Sequence, residues 1–398
     1  MKRILFVDDD QNILDGLENV LYRQRKRWQM VFALGGQAAL EELRKGQFHV
    51  VVSDMRMPGI DGARLLEYAK ELQPSAARFI LSGYGDREAV VRALPVAHQF
   101  LSKPCDSEIL RIVVDRACEL QTLLASEEIR AIVGSLDRLP SAPSTYFDLT
   151  TAMACADLGA KDVAEIVERD PAMAVKVLQL VNSSYFGVAR QLTSIHQAVA
   201  YLGTEFLKAL ALSAHVFATL SPKPIRGFDI EETQQHSIET ARVAQAISPD
   251  GKRSDAFIAG LVHDVGRLVF AVGDPERCSK IGQTVASTAR RFHEVEQEVL
   301  GVSHAEVGAY LLGVWGLPIP VVEAVAFHHR PSAVFEGDVD LLAAVHIADA
   351  VVRSLGLGAG LPDHGVDPDF VDGRALRPML DAAVASAKAI HSGRALRP

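Results

Sequence analysis

The chain has 398 residues, 48% hydrophobic and 23% charged, with 50 acidic against 41 basic side chains and a formal net charge of −9. That length predicts two or three domains, and the composition is that of a folded protein rather than a disordered or fibrous one. An acidic balance with no Lys/Arg-rich run gives no support for nonspecific nucleic-acid binding. Cys105, Cys118, Cys155 and Cys278 are scattered without metal or disulfide spacing, which suits a reducing cytoplasm. The opening Met1-Lys2-Arg3-Ile4 passes straight into a strand-like run too short for a signal peptide. No uninterrupted apolar segment is expected to be long enough to span a bilayer, and a cytoplasmic location is expected.

In chain order, Ile4-Leu5-Phe6-Val7 reads as a buried strand ending in Asp8-Asp9-Asp10. Val50-Val51-Val52-Ser53 ends in Asp54, followed by the turn-forming Met55-Arg56-Met57-Pro58-Gly59. Phe79-Ile80-Leu81 ends in Ser82-Gly83, and Phe100-Leu101 ends in Ser102-Lys103-Pro104. Helix-period segments lie between, at residues 12–25, 36–44, 63–72, 86–94 and 107–123. Strand alternating with helix predicts a doubly wound α/β domain with a parallel sheet. Ligands bind past the carboxyl ends of such strands, where each run delivers its polar group.

That set is chemically coherent. Clustered carboxylates repel one another unless a cation binds, and oxygen-only ligands favour Mg²⁺. Asp8 and Asp9 would hold the metal. Asp54 would be the nucleophile that forms an acyl phosphate. Lys103 would neutralise the incoming phosphoryl oxygens and Ser82 would donate a hydrogen bond to them. Phe100 is either the aromatic that moves with Ser82 or a plain core residue.

Residues 1 to about 122 resemble the receiver domain of two-component response regulators. The residues that carry the resemblance are Val7-Asp8-Asp9, Ser53 through Gly59, Ser82-Gly83 and Lys103-Pro104. The resemblance implies a count of five strands in the parallel sheet, and phosphorylation of Asp54 by a sensor histidine kinase. It also implies Mg²⁺ held by Asp8, Asp9, Asp54 and the Arg56 backbone carbonyl.

From Asp106 the helical pattern runs on to Ile132-Val133, with Leu120, Leu123, Leu124 and Ile132 at helix spacing. Such a helix could pair with its copy in a homodimer or dock on the chain's own second domain. Leu139-Pro140-Ser141-Ala142-Pro143 is a break. Beyond it the pattern is helical without alternating strands, so an all-α domain is expected. Asp170-Pro171 reads as a helix cap and first position. Asn182-Ser183-Ser184-Tyr185-Phe186-Gly187 is a polar turn after a helix, and Ser194 restarts one.

The chemistry of this second domain lies in His236, His263-Asp264, His304, His328-His329 and Asp349. Adjacent His and Asp within Gly260-Leu261-Val262-His263-Asp264-Val265-Gly266 are hard to dismiss as ordinary core, since a buried charge needs a partner or a metal. Imidazole with carboxylate suits Fe, Mn or Zn, and two such ions could activate water and clamp a phosphodiester.

The order of these residues resembles the HD superfamily of metal-dependent phosphohydrolases. Residues from roughly 134 to 355 look more closely like the HDOD domain, the HD-related output domain of bacterial signalling proteins. That closer likeness rests on the Leu139–Pro143, Asp170-Pro171, Asn182–Gly187 and Gly260–Gly266 motifs. It also rests on His304-Ala305-Glu306-Val307-Gly308 continuing to Trp315-Gly316-Leu317-Pro318. HDOD domains are regarded as output or scaffold modules without established catalysis, and many have lost metal ligands. Here every ligand position matched to the HD-GYP cyclic-di-GMP phosphodiesterases is filled: His236, His263, Asp264, His304, His328, His329 and Asp349. The acidic residue and Gly-Tyr-Pro loop of those enzymes are replaced by Arg330-Pro331-Ser332-Ala333-Val334.

The expected organisation is a receiver at 1–122, a helical linker at 123–135, an HDOD domain at 136–355 and a partly helical or disordered tail at 356–398. The tail carries the Ala-rich segment Met379 to Ile390 and a repeated Gly-Arg-Ala-Leu-Arg-Pro. The expected function is that of a response regulator whose output binds other signalling proteins, cyclic-dinucleotide enzymes among them, or a nucleotide. The alternative is a phosphorylation-controlled phosphodiesterase acting on a cyclic dinucleotide. No basic recognition-helix pattern is present, so no direct DNA binding is expected.

Overall fold

Unbroken β-branched and aromatic runs build a parallel sheet that needs cover on both faces. In the computed structural model its strands are β1 (Lys2–Asp8), β2 (Trp28–Leu34), β3 (Val50–Asp54), β4 (Ala77–Gly83) and β5 (Gln99–Lys103). They pair in the order β2-β1-β3-β4-β5, all parallel. Helices α1 (Gln11–Val20), α2 (Gly35–Lys45), α3 (Gly62–Leu72) and α4 (Ser107–Leu123) complete the α/β layers. Ile4, Leu5, Phe6, Val50, Val51, Val52, Phe79 and Ile80 are fully buried. The structure describes the chain apart from residues 84–91, 94, 124–125, 137–139, 142–158, 183–187, 189–190, 204–217, 220–224, 226, 289, 334–338, 357–364 and 392–398.

Two local differences from the sequence pattern have plain causes. The segment expected as one helix over 12–25 is α1 followed by a tighter 3-10 turn at Tyr22–Lys26. The helix expected to run from Asp106 to Val133 is interrupted. A separate helix, α5 (Glu127–Ser135), starts at Ser126, whose extended backbone and side-chain oxygen, accepting from the Ile129 N–H, make it a cap. The segment 86–94, the polar turn from Ser183 to Gly187 and the second copy of the tail repeat lie largely outside the described residues.

Helix α5 is tied to β4 by a buried arginine. The fully buried Arg78 donates to the carbonyls of Val96 (2.7 Å), Pro74 (3.3 Å), Ala76 (3.1 Å) and, on α5, Gly134 (2.6 Å). A Cβ on Gly134 would lie 1.7 Å from the Pro74 carbonyl oxygen, so only glycine allows this approach.

Clustering of contacts separates two units. One is Met1–Arg138 with Gln179–Gln191 and Gly313–Gly316; the other is Leu139–Leu178, Leu192–Leu312 and Leu317–Pro398. The second region is helical: α6 (Ala160–Val167), α7 (Pro171–Val181), α8 (Ile195–Leu202), α9 (Ile230–Ile247), α10 (Arg253–Val262), α11 (Val265–Gly273), α12 (Pro275–Thr288), α13 (Phe292–Leu300), α14 (His304–Val314), α15 (Ile319–Phe327), α16 (Val339–Ser354), α17 (Pro368–Gly373) and α18 (Arg377–His391). A two-residue parallel pairing of Pro140–Ser141 with Ala218–Thr219 is the one strand pairing among its described residues.

Helix α9 packs on α10, α16 and α18. The tail helix α18 therefore belongs to this core, with Ala383 and Ala387 fully buried. One stretch, Asp250–Gly273, has the length and mean apolar character of a membrane span, but it holds charged residues, divides into α10 and α11 at His263-Asp264, and 83% of its most apolar 18-residue run is buried within the protein.

Replacing Arg78 with alanine would strand four buried carbonyls, at a cost of about 3 kcal/mol or more. Amide hydrogen exchange in β4 and β5 of Arg78→Ala should quicken by at least about a hundredfold.

Candidate phosphoacceptor and metal centres

The sheet register brings the polar strand ends together. Val7 pairs with Ser53, Asp54 with Leu81 and Gly83 with Lys103. Asp8, Asp54, Ser82 and Lys103 thus converge at the carboxyl edge, on the side where the order turns back between β1 and β3. The Lys103 ammonium donates to Asp8 Oδ2 at 2.7 Å and also contacts Asp54 Oδ1. Asp54 Oδ2 accepts from the Arg56 backbone N–H at 3.0 Å, and Asp8 Oδ1 from the Asp10 N–H at 3.0 Å.

Burial raises the pKa of Asp54, with Asp8 adding to it and Lys103 opposing. The Lys103 pKa is raised because the two carboxylates outweigh its burial. The Ser82 hydroxyl is buried and makes no hydrogen bond, while Phe100 is fully buried and Asp9 is exposed beside the site. Buried carboxylate oxygens fit a hard cation, and the free hydroxyl fits an incoming oxyanion.

The helical region assembles a second centre from residues up to 113 positions apart. Helices α10 and α11 meet at His263-Asp264, α14 opens on His304, α15 delivers His328 and His329, α9 gives His236 and α16 gives Asp349. A Cβ on Gly266 would lie 2.0 Å from the His304 carbonyl oxygen, so this glycine sets how closely Asp264 and His304 approach. Potential ligand atoms fall into two groups, each within 4.8 Å: Asp264, His304, His328 and His329, and His236, His263 and Asp349.

The tautomers aim the imidazoles inward. His263 Nδ1–H donates to the Gly260 carbonyl (2.7 Å) and His328 Nδ1–H to the Val325 carbonyl (2.8 Å). Their Nε2 atoms are buried without a hydrogen bond. Asp264 Oδ1 faces three Nε2 atoms, of His304 at 3.0 Å, His263 at 3.5 Å and His328 at 3.9 Å. The unpartnered Nε2 atoms of His263 and His328, with His304 Nε2 beside the same carboxylate oxygen and 2.9 Å from His329 Nε2, make the donor set of a transition-metal site, and these residues fit Fe, Mn or Zn.

Comparison with known proteins agrees with both halves. A family model described as the response regulator receiver domain matches residues 4–115, and one described as the HDOD domain matches residues 139–331. The chain is a response regulator with a receiver domain followed by an HDOD domain.

An uncharacterized protein of Treponema pallidum is 28% identical over 256 residues, 63% of this chain and 49% of that protein. The transcriptional regulatory protein FixJ of Bradyrhizobium diazoefficiens is 32% identical over 139 residues, 33% of this chain and 67% of FixJ. The chain spans half or less of the length of the first curated relatives it matches. The crystal structure of the MmoQ response regulator from Methylococcus capsulatus is 25% identical, covering 61% of this chain and 98% of that one, with a TM-score of 0.45.

Several residues of the HDOD centre stand outside every motif read from the sequence. Glu296 accepts from the His304 Nδ1–H at 2.6 Å and from its backbone N–H at 2.8 Å, fixing the ring that faces Asp264. Arg353 donates to Asp349 Oδ1 (2.6 Å) and Asp264 Oδ2 (3.1 Å), and Arg267 also reaches Asp264 Oδ2 (3.2 Å). The spacings Asp349 to Arg353 and Asp264 to Arg267 put each pair on one helical face, which is the signal available beforehand. His346 donates from Nδ1 to the His328 carbonyl at 2.7 Å and accepts the Asp367 N–H at Nε2.

Charge at the centre is set by these contacts. Burial lowers the pKa of His236, to about 4, as well as those of His328, His329 and His346. Burial also opposes charge on His304, but Glu296 and Asp264 outweigh it and raise its pKa to about 9. Asp264 does the same at His263, where the pKa is also raised.

The signs give a stability maximum. Histidines held neutral by the fold lose stability as pH falls through their ordinary value of about 6.5, because the unfolded chain takes up the protons. The stability from protonated His304 is complete below about 6.5 and is lost as pH rises through its folded value of about 9. Thermal unfolding in EDTA should therefore peak near neutral pH and decline on both sides. Glu296→Gln should flatten the alkaline limb and leave the acid limb in place.

Proposed function

We propose that a sensor kinase transfers a phosphoryl group to Asp54, and that this controls what the HDOD domain binds. The observation that carries the reading is the grouping of Asp54, Asp8 and Lys103 with the unpartnered Ser82 hydroxyl. Asp54 attacks phosphorus through a carboxylate oxygen. Lys103 stabilises the phosphoryl oxygens and Ser82 turns its hydroxyl toward them. Asp8, Asp9, Asp54 and the Arg56 carbonyl are the residues that would hold Mg²⁺, which supplies charge neutralisation on those oxygens. The new phosphoryl group carries roughly 1.5 to 2 negative charges where the Asp54 carboxylate carried one, and places them further out at the sheet edge, enough to change the position of Ser82.

For the output, binding of a signalling protein or nucleotide is preferred over turnover. The cavity that reaches His329 and Asp349 is about 240 Å³, also lined by Arg291, His293, His346 and Asp367. A second cavity of about 340 Å³ also reaches His293 and His329 and is lined by Ser303 and Arg330, so the space here is at the lower end of the about 300–1,000 Å³ of sites that bury drug-sized ligands. One observation favours the second reading, a metal-dependent phosphodiesterase: the inward-facing lone pairs of His263 and His328.

The full chain incubated with acetyl phosphate and Mg²⁺ should gain the mass of one phosphoryl group. Asp54→Asn should gain none, and Lys103→Ala should be slowed by about a hundredfold or more. Equal uptake by Asp54→Asn and wild type would sink the assignment of Asp54. Incubation of the Mn-loaded protein with cyclic dinucleotides separates the two outputs: intact substrate supports binding, and linear product supports hydrolysis.

A further inference from the structure

The two groups of candidate ligands are not equivalent, and Arg353 makes the difference. Its side chain is 2% exposed and lies between Asp349 and Asp264. Asp349 Oδ1 already accepts from Arg353 Nε at 2.6 Å and lies 2.8 Å from His236 Nε2. Oδ1 is also the oxygen that faces His263 Nε2, at 3.5 Å, so it is the one turned to an ion in the group of His236, His263 and Asp349. A guanidinium is permanently charged, so it cannot be displaced by losing a proton as an imidazolium can.

Asp264 is divided. Its Oδ2 is held by Arg353 at 3.1 Å and Arg267 at 3.2 Å, while Oδ1 is turned to the imidazoles of His304, His263 and His328. Charge balance points the same way. Three buried carboxylates, Asp264, Asp349 and Glu296, face two buried guanidinium groups, Arg353 and Arg267. With the histidines neutral, as metal ligands must be, one negative charge is left over, which a single divalent ion more than balances. A second ion would leave three excess positive charges in a buried site, and uncompensated buried charge costs several kcal/mol per ion.

We propose that the HDOD domain holds one metal ion, at Asp264 Oδ1 with His304, His328 and His329, and that the Arg353 guanidinium stands in the place of a second ion beside Asp349. This rests on the reading of the centre as a metal site. Arg353 is a positioning residue: it turns Asp264 toward the imidazoles and closes the neighbouring group.

The test is metal content, independent of any activity. The full chain is loaded with Mn²⁺ and dialysed against excess Mg²⁺, which keeps the receiver site in the magnesium form. Its manganese is then counted by elemental mass spectrometry beside Arg353→Met and Arg353→Lys. The expected result is one ion per chain in wild type and Arg353→Lys, and two in Arg353→Met. Two ions in wild type would overturn the proposal and leave the metal centre standing. One ion in both wild type and folded Arg353→Met would overturn the role given to Arg353. No bound manganese in wild type, with none gained on reloading with iron or zinc, would overturn the metal reading itself. If Arg353→Met does not fold, electron paramagnetic resonance of Mn-loaded wild type decides. An isolated Mn²⁺ spectrum supports a single ion, and an exchange-coupled spectrum overturns it.

Discussion

The Asp264 carboxylate is the constraint on which the helical half of the molecule is arranged. Fully buried, it is held well below the ordinary carboxylate pKa by His263, His304 and Arg353, against the cost of burial. A charge in that position must be compensated from several directions, and the compensating groups arrive on different helices. Arg353 comes from α16, Arg267 from α11 and His304 from α14, and Glu296 on α13 orients His304. Gly266 is small because a side chain there would push α14 away from the carboxylate. The crossings of these helices are as much a consequence of one buried charge as of the apolar packing around it.

The receiver solves a related problem by different means. Asp8 and Asp54 are nearly buried, and a lysine, rather than an arginine, lies between them. An ammonium is a compact charge on a flexible stem that can move with an incoming group, whereas a planar guanidinium is suited to a fixed geometry. The choice of cation fits the tasks read from the two centres. The first is the centre proposed to accept a phosphoryl group, and in the second the guanidinium keeps a carboxylate aimed.

How much of this was legible in sequence follows from where each residue's signal lies. Asp8, Asp54, Ser82 and Lys103 each end an apolar run, so strand and site announce each other. β2 delivers no polar group to the site and is only partly buried, so its residues marked no chemistry. His263-Asp264 stood out because polar neighbours within a Leu-Val and Val-Gly context have no surface role. Glu296 did not stand out among the neighbouring Glu294 and Glu298; those two share one helical face and Glu296 lies off it, buried, while Glu298 pairs with Arg290 at the surface. Ser126 read as one more residue of a continuous helix, and only its backbone shows a cap. The tail helix read as a dispensable end because its contacts are made by alanines, whose burial leaves little trace in a pattern.

The departure from the phosphodiesterase pattern falls outside the metal centre. Arg330, where those enzymes carry an acidic residue, is exposed and pairs with Glu306 at 2.9 Å, away from the buried carboxylates. Substitution there leaves the donor set of Asp264, His304 and His328 intact. Within the centre, Arg353 lies between Asp264 and Asp349 although it belongs to none of the ligand positions. A centre can therefore keep every recognised ligand and still have its charge, and with it the number of ions it admits, reset by one arginine a helical turn from Asp349. Counting ligands in a sequence reports which atoms are available; counting the buried charges that already face them reports how many of those atoms a metal can use.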